Sequence, residues 1–435
     1  MFKKMVAIFL LFSLLSAFLA GCAILDSSKK TNTSSGDMET NTDNVHTNNI
    51  SIGKDNIMAL GLGCSGEYGY YQIRGSIIYF FDYKTNKTIV LCNKPNCEHK
   101  DARCNGYIVA GVNDDAPSSQ IASSANYIFY KDGAIHLFCA DGNVLKMNFD
   151  GTEHQVIATI DSKYGYNRAY MKDDNIYINV YYPEEENHSI VEKSSFVVFD
   201  TNTYTWYQTK SYDRNADTLL GVWENEAFYF HANELPAMGS GVSFEQSVEI
   251  ENKNPCAIYK INLKNGEKSV LRETTEGNMS PAVMLNGMIY YHSRNDETIC
   301  CMDPETAEST ILKKGIGGKI VFDESIDEYL VFLRSKKITS DYDPNNDVME
   351  MFNTETKELM EAYRLQTNIG WNDGFRGILA TTPDSYIMIY KADFVVEEEP
   401  GMAEPSVVDM KPYVGIIKKK DFWNRNYNFT EITWF

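Results

Sequence analysis

Beyond its first two dozen residues the chain has no run of about 18 or more apolar residues, so nothing later is built to cross a bilayer as a single helix. Helical periodicity is also missing. After Ser51, stretches of about ten residues with apolar positions at helical spacing are hard to find. Basic residues are scarce, with 40 Lys and Arg against 60 Asp and Glu and a net charge of −20. A surface of that sign is repelled by nucleic acid and by anionic lipid, which excludes polyanion binding as a function class. Histidine is scarce too, and the seven present form no pair at metal-binding or catalytic-triad spacing. His136, His231 and His292 fall in strand patterns and read as packing or edge residues. Gly61, Gly63 and Gly66 match a dinucleotide fingerprint in letters only, because neither a following helix nor a β-α-β setting surrounds them.

What is present is apolar and exported. The chain has 435 residues, 43% hydrophobic and 13% aromatic, ample for a large core. Lys3 and Lys4 form a positive start, and residues 5–18 form an apolar stretch too short to span a membrane comfortably. Leu19, Ala20, Gly21 and Cys22 then read as a lipobox, with small residues just before a single cysteine. This is similar to a bacterial lipoprotein signal, in which Cys22 is lipidated and becomes the mature N-terminus. The alternatives are an ordinary secretory signal or a short anchor. Cleavage removes two lysines and no acids, leaving 38 basic against 60 acidic residues, a balance of −22. That surface suits a body held near a membrane by acyl chains rather than by basic patches. Residues 23–50 are rich in Ser, Thr, Asn and Asp. Such a segment cannot bury enough surface to fold, and as a coil it reaches roughly 30 Å. The expected organisation is a signal peptide at 1–21, a lipidated cysteine and disordered tether at 22–50, and one folded domain at 51–435.

The folded part repeats one hairpin. At Asp200 an alternating apolar strand ends, residues 201–203 turn the chain, and a second strand leaves through Tyr204 and Trp206. The same design returns around Asp82, Asn148, Asn262, Asp303 and Asn353, and weakly near Lys419. Short apolar strands such as Ile176–Ile178, Phe228–Phe230 and Ile289–Tyr291 precede the hairpins, each beside a polar pair. Irregular repeats of roughly 40–66 residues with four strands each indicate propeller blades. The expected fold is therefore all-β: a single β-propeller of four-stranded antiparallel blades. Seven anchors give seven blades, with six or eight as the alternatives. Asp or Asn at the strand end hydrogen-bonds its own turn, and Asn or Gly then accepts a positive φ, as Asn86, Gly151 and Gly266 would. These carboxylates are read as structural, not catalytic. The hairpins join the third and fourth strands of each blade. Longer excursions at 183–195, 232–255, 336–346 and 393–412 fall between second and third strands, and 92–124 falls between blades. All five are expected on the face opposite the hairpins, where binding would live.

The lipobox at Cys22, the repeated strand and turn elements, and the stretch Leu91 to Cys104 together resemble an uncharacterised Gram-positive bacterial lipoprotein family with TolB-like or receptor-type β-propeller repeats. The resemblance covers nearly the whole chain. It implies the fold and a place on the extracytoplasmic face of the cell membrane, lipid-anchored, and it implies no established activity.

Cys92, Cys97, His99 and Cys104 are the most concentrated chemical signal. Three thiolates and an imidazole suit a tetrahedral zinc site, while export equally permits a disulfide within the group. Cys64 or Cys139 is a further disulfide partner. Asp341, Asp343, Asn345 and Asp347 resemble the start of a calcium loop, but Asn346 replaces the usual Gly and Phe352 stands where an acid is needed, so a solvated acidic loop competes. Cys300 and Cys301 are adjacent in a strand and are expected on opposite faces. Tyr70, Tyr71, Trp223 and Trp371 could form a carbohydrate platform, though blade cores use aromatics the same way. The function expected is a non-catalytic binding or scaffold module, a monomer that meets an envelope protein, peptide or glycan at the cell surface and the membrane through its N-terminal lipid, with no nucleic acid. The alternative is an exported polysaccharide- or peptide-degrading enzyme with an axial acidic pocket.

Overall fold

The computed structural model describes residues 58–108, 125–161, 163–186, 189–213, 217–232, 246, 249–250, 253–275, 278–336, 347–363, 365–367, 378–397 and 406–433. The signal segment, Cys22 and the tether lie outside them. The described chain folds as seven antiparallel sheets, a seven-bladed β-propeller with almost no helix. Each blade is one consecutive run of chain. The first is Gly63–Ser65, Gly69–Arg74, Ile77–Asp82 and Lys87–Val90. The second is Ala125–Lys131, Ala134–Cys139, Asn143–Asn148 and Gln155–Thr159. The third is Gly165–Lys172, Asn175–Glu186, Ser189–Asp200 and Trp206–Gln208, with Met58–Leu60 and Tyr212–Asp213 added at its margins. The fourth to sixth run Thr218–Trp223 to Lys268–Thr274, Val283–Leu285 to Ser309–Lys314, and Lys319–Ile326 to Leu359–Glu361. The seventh is Ile378–Thr381, Ser385–Glu397, Ser406–Lys418 and Thr430–Ile432. Gln366–Thr367 is its fifth strand, and among the described residues all five come from the C-terminal segment.

Two compact units divide the blades: the first, second and seventh in one, the third to sixth in the other. Within each unit the cores lie between consecutive blades. Ile73, Ile78, Ile128, Ile135, Leu137 and Met147 pack between blades one and two. Phe196, Val198, Tyr229 and Tyr259 do so between three and four, and Phe230, Ile258, Ile289 and Tyr291 between four and five. This sandwiching explains strands that are apolar on both faces: all six residues of Ala134–Cys139 are buried. Outer strands have a neighbour on one edge only, and Gln155–Thr159 and Ser309–Lys314 are largely exposed.

The hairpins close by a local device used five times. One side-chain oxygen accepts the N–H groups two and three residues on, at 2.7 and 3.2 Å for Asp82 and at 2.8 and 2.9 Å for Asp200. Asn262, Asp303 and Asn353 repeat it. The N–H of the fourth residue on donates to the backbone carbonyl of the Asp or Asn, and that residue takes positive φ: Asn86 at 53°, Tyr204 at 56°, Gly266 at 73°, Ala307 at 59° and Lys357 at 63°. Only two of these five are Asn or Gly, so the turn imposes the left-handed conformation on ordinary residues as well. The residue directly after the third strand reaches across the blade. Tyr83, Thr201, Leu263, Thr354 and Lys419 give their N–H to carbonyls of Tyr68, Asp174, Asn225, Glu328 and Asp384 in the turn between first and second strands. Pro304 stands at the equivalent place in blade five and has no N–H to give.

Two of the expected loops are strand where they are described. Residues 183–186 and 189–195 continue one hairpin, with Pro183 opposite Glu192 and Glu186 opposite Ser189. Residues 393–397 and 406–412 do the same, with Phe394 opposite Met410 and Glu397 opposite Ser406.

Candidate metal centre

The cysteine-rich excursion begins where the outer strand of blade one ends. Leu91 N–H donates to the Ile78 carbonyl at 2.9 Å, and Ile78 N–H donates to the Gly106 carbonyl at 2.8 Å. One strand residue therefore ties both ends of the loop, and Ile108 N–H to Ser76 O adds a second rung. Gly106 is required at this neck, since a Cβ there would lie 2.8 Å from the Leu91 carbonyl oxygen. Inside the loop, Asn96 and His99 take φ of 58° and 56°, which turns the chain back on either side of Cys97. Asp101 grips the Arg103 guanidinium at 2.7 and 3.0 Å, and Lys94 Nζ donates to the Arg103 carbonyl at 2.6 Å.

These turns bring Cys92, Cys97, His99 and Cys104 together. Their four donor atoms all lie within 4.8 Å of one another, a spacing at which a metal ion can be held. His99 Nδ1 is 3.3 Å from Cys104 Sγ. Burial pushes the Cys92 thiol up, but hydrogen bonds from the Lys94 and Asn105 N–H groups and from the other two thiols outweigh it and leave it below its ordinary value. Burial and the neighbouring Cys92 push Cys104 up to about 12, partly offset by the Gly106 N–H. Burial lowers the His99 imidazole, which favours the neutral, ligating form. All eight described cysteines are free thiols.

The loop does not stand apart from the hairpins. It lies against the turn at 148–154 of blade two, the same class of turn that was expected on the other face. His154 Nε2 donates to the carbonyls of Asn105 and Gly151 at 2.8 and 3.0 Å. Asn105 Nδ2 donates to Asn93 Oδ1 at 2.8 Å, and Asn93 Nδ2 lies 3.4 Å from Asp150 Oδ2. A Cβ on Gly151, at φ 77°, would meet the Leu91 carbonyl oxygen at 2.8 Å. The cause is sheet twist, which turns the outer strand of one blade toward the hairpin of the next. The arrangement recurs where Lys210 packs on Gly266 and where Lys313 Nζ reaches the Lys357 carbonyl at 3.4 Å.

Other candidates are dispersed. Cys64 and Cys139 sit in the core between blades one and two, away from the loop, and burial raises both thiols, Cys139 to about 12. Cys300 and Cys301 face different interblade cores, as their adjacency in a strand requires. Asp341, Asp343 and Asn345 lie outside the described residues, and Asp347 begins a strand opposite Ser335. Tyr70 and Tyr71 are buried in the core, and Lys172 Nζ stands 3.4 Å over the Trp223 ring, while Trp371 lies outside the described residues. His136 stacks on Phe129 with centroids 4.7 Å apart. A second polar group went unnoticed in the sequence. His231 Nδ1 is 2.6 Å from Asp217 Oδ1, and the Tyr259 hydroxyl donates to Asp217 Oδ2. These residues are far apart along the chain, and only the pairing of adjacent strands joins them.

The fold defines a β-propeller. No known family profile matches the chain, and no curated protein matches it. Its likeness is to solved propeller structures and lies in the fold. A puromycin hydrolase mutant is 8% identical, with 87% of this chain and 54% of that chain covered and a TM-score of 0.44, so this chain spans about half of that protein. An oligogalacturonate lyase in complex with manganese is 10% identical, covering 80% and 84%, at a TM-score of 0.42. The β-propeller domain of the Trilobed protease from Pyrococcus furiosus is 8% identical, covering 86% and 98%, at 0.40.

Proposed function

We propose that this protein is a lipid-anchored, extracytoplasmic β-propeller that acts as a non-catalytic binding or scaffold module for a protein at the cell surface. The lipobox at Cys22 supports the anchor. The observation that carries the binding role is the long hairpin of blade three. It continues the ladder to the pair Glu186 and Ser189 and leaves Ile190 79% exposed, beside exposed Glu184, Glu185 and Glu192. An apolar side chain held out by a rigid ribbon among carboxylates adds nothing to the core. It suits a partner surface that offers basic groups around an apolar spot. Crosslinking and mass spectrometry of the lipid-anchored protein in its native envelope test this. Replacing residues 184–191 by a two-residue turn is expected to abolish the main crosslinked partner while leaving the membrane fraction unchanged. An unaltered partner profile would refute the role of the hairpin, and recovery of the Cys22→Ala variant in the membrane fraction would refute the lipid anchor.

One observation favours the exported-enzyme reading: the contact between Asp217 and His231, beside a small cavity lined by Asn167, Asn179, Tyr212 and Tyr229. Tyr259 already occupies the second oxygen of Asp217, which is the arrangement of a structural network. Hydrolysis or lyase activity on glycans or peptides that disappears in Asp217→Asn would reverse this ranking.

A further inference from the structure

We propose that Cys92, Cys97, His99 and Cys104 bind one zinc ion as a closed structural site, and that this ion fastens the loop at 92–105 onto the turn at 148–154 of blade two. The inference is independent of the lipid anchor and of any partner.

The donor set selects the metal. Three sulfurs and one imidazole nitrogen suit a soft or borderline cation, whereas calcium and magnesium need oxygen ligands. In a tetrahedral zinc site, with Zn–S near 2.3 Å and Zn–N near 2.0 Å, neighbouring donors stand roughly 3.5–3.8 Å apart. His99 Nδ1 and Cys104 Sγ, 3.3 Å apart, already approximate one edge of that tetrahedron, and all the donor atoms fall within 4.8 Å. Four protein ligands leave no open position, the mark of a structural rather than a catalytic ion.

Backbone N–H groups surround two of the sulfurs. The N–H of Lys94 hydrogen-bonds to Cys92, and that of Gly106 to Cys104, each two residues beyond its cysteine; the Asn105 N–H adds a third such bond, to Cys92. Donors aimed at sulfur stabilise its anionic, ligating form. His99 itself takes the left-handed conformation, and one of its ring nitrogens lies within 4.8 Å of all three sulfurs. A disulfide would use two sulfurs and leave the third thiol and the imidazole without a role. It would also need an external oxidant. Zinc binding needs none: the thiol protons pass to solvent, and the ion with three thiolates carries one net negative charge.

The outer contacts transmit the effect. Asn93 and Asn105 flank the ligands and meet Asp150 and His154, so ordering of the loop is felt in the neighbouring blade.

The test uses the full chain purified from membranes without chelator. Metal analysis is expected to find about one equivalent of zinc, and removing it with a strong chelator should expose three additional reactive thiols. Reloading with cobalt should give thiolate-to-cobalt charge-transfer absorption with tetrahedral d–d bands. His99→Cys should keep about one equivalent and Cys104→Ser should lose it. Amide exchange at Gly151 and Thr152 should slow on zinc addition. Should Cys104→Ser fail to fold, the cobalt spectrum of the unaltered protein decides independently. A disulfide between two of the three cysteines with no stoichiometric zinc, or an octahedral cobalt spectrum, would overturn the proposal.

Discussion

Acid should destabilise this protein through a histidine that no site uses. His292 lies on the second strand of blade five and is fully buried. Its Nε2–H donates to the Ile316 carbonyl at 2.7 Å, which leaves the ring neutral and sealed. Burial lowers its pKa to about 4, and the positive charges of Arg294 and Arg334 act in the same direction, against the Ile316 carbonyl. In the unfolded chain the imidazole titrates near 6.5. Between these values the unfolded state holds a proton that the folded state lacks, so stability falls as pH falls, beginning near 6.5 and ending near 4. Integrating that difference from pH 7 to pH 5 gives a loss of about 2 kcal/mol from this one residue. His292→Gln keeps an N–H for the Ile316 carbonyl and removes the titration. It should be less stable than the unaltered protein at pH 7 yet lose about 2 kcal/mol less between pH 7 and pH 5. Urea unfolding followed by tryptophan fluorescence at both pH values reads the difference. Equal losses in the two proteins would refute the argument, because then the buried imidazole does not stay neutral in the folded state.

Two further outcomes test the hairpin device. Ala307→Gly relieves a left-handed alanine at φ 59° and should stabilise by about 0.5–1 kcal/mol, while Gly266→Ala imposes that cost and brings a Cβ within 2.7 Å of Lys210 Cδ, for a loss of about 1 kcal/mol; urea midpoints report both signs. Asn353→Ala removes the acceptor of two N–H groups at 2.8 Å and should cost about 1–2 kcal/mol, whereas Asn353→Asp retains the acceptor and should cost less than half of that by the same measure.

The blades were legible because their punctuation is local. Each hairpin is decided within five residues, and Asp82, Asp200, Asn262, Asp303 and Asn353 announce it without reference to anything distant. Cys300 and Cys301 were placed correctly for the same reason, since a period of two needs only the strand. Residues that yield to tertiary demand were not legible. Tyr204 and Lys357 take positive φ because the closed hairpin requires it, and nothing in their own chemistry signals it. Residues 183–195 read as a loop between second and third strands, yet 183–186 and 189–195 are strand, because each supplies the other's ladder partners. The metal-binding quartet was visible as a spacing. Its docking on Asp150 and His154 was not, because the contact spans 49 residues from Asn105 to His154 and depends on the twist between blades.

Magnitudes favour a metal over a disulfide at that quartet. Residues 92–105 are 14 in number, and Lys94, Pro95, Asn96, Glu98 and Lys100 are exposed, so apolar burial contributes little to ordering them. Fixing the backbone costs about 1 kcal/mol per residue at the lower end, or about 14 kcal/mol in all. A disulfide closing a ring this small contributes about 2–4 kcal/mol. A structural zinc ion bound by thiolates and imidazole contributes about 10–16 kcal/mol, the size of the ordering cost. The loop's own hydrogen bonds, Asn105 to Asn93 and Lys94 to Arg103 among them, each add about 1 kcal/mol on the same side. The metal is thus the one crosslink whose strength matches the length of chain it must hold, and the neck at Ile78 and Gly106 keeps that length from growing.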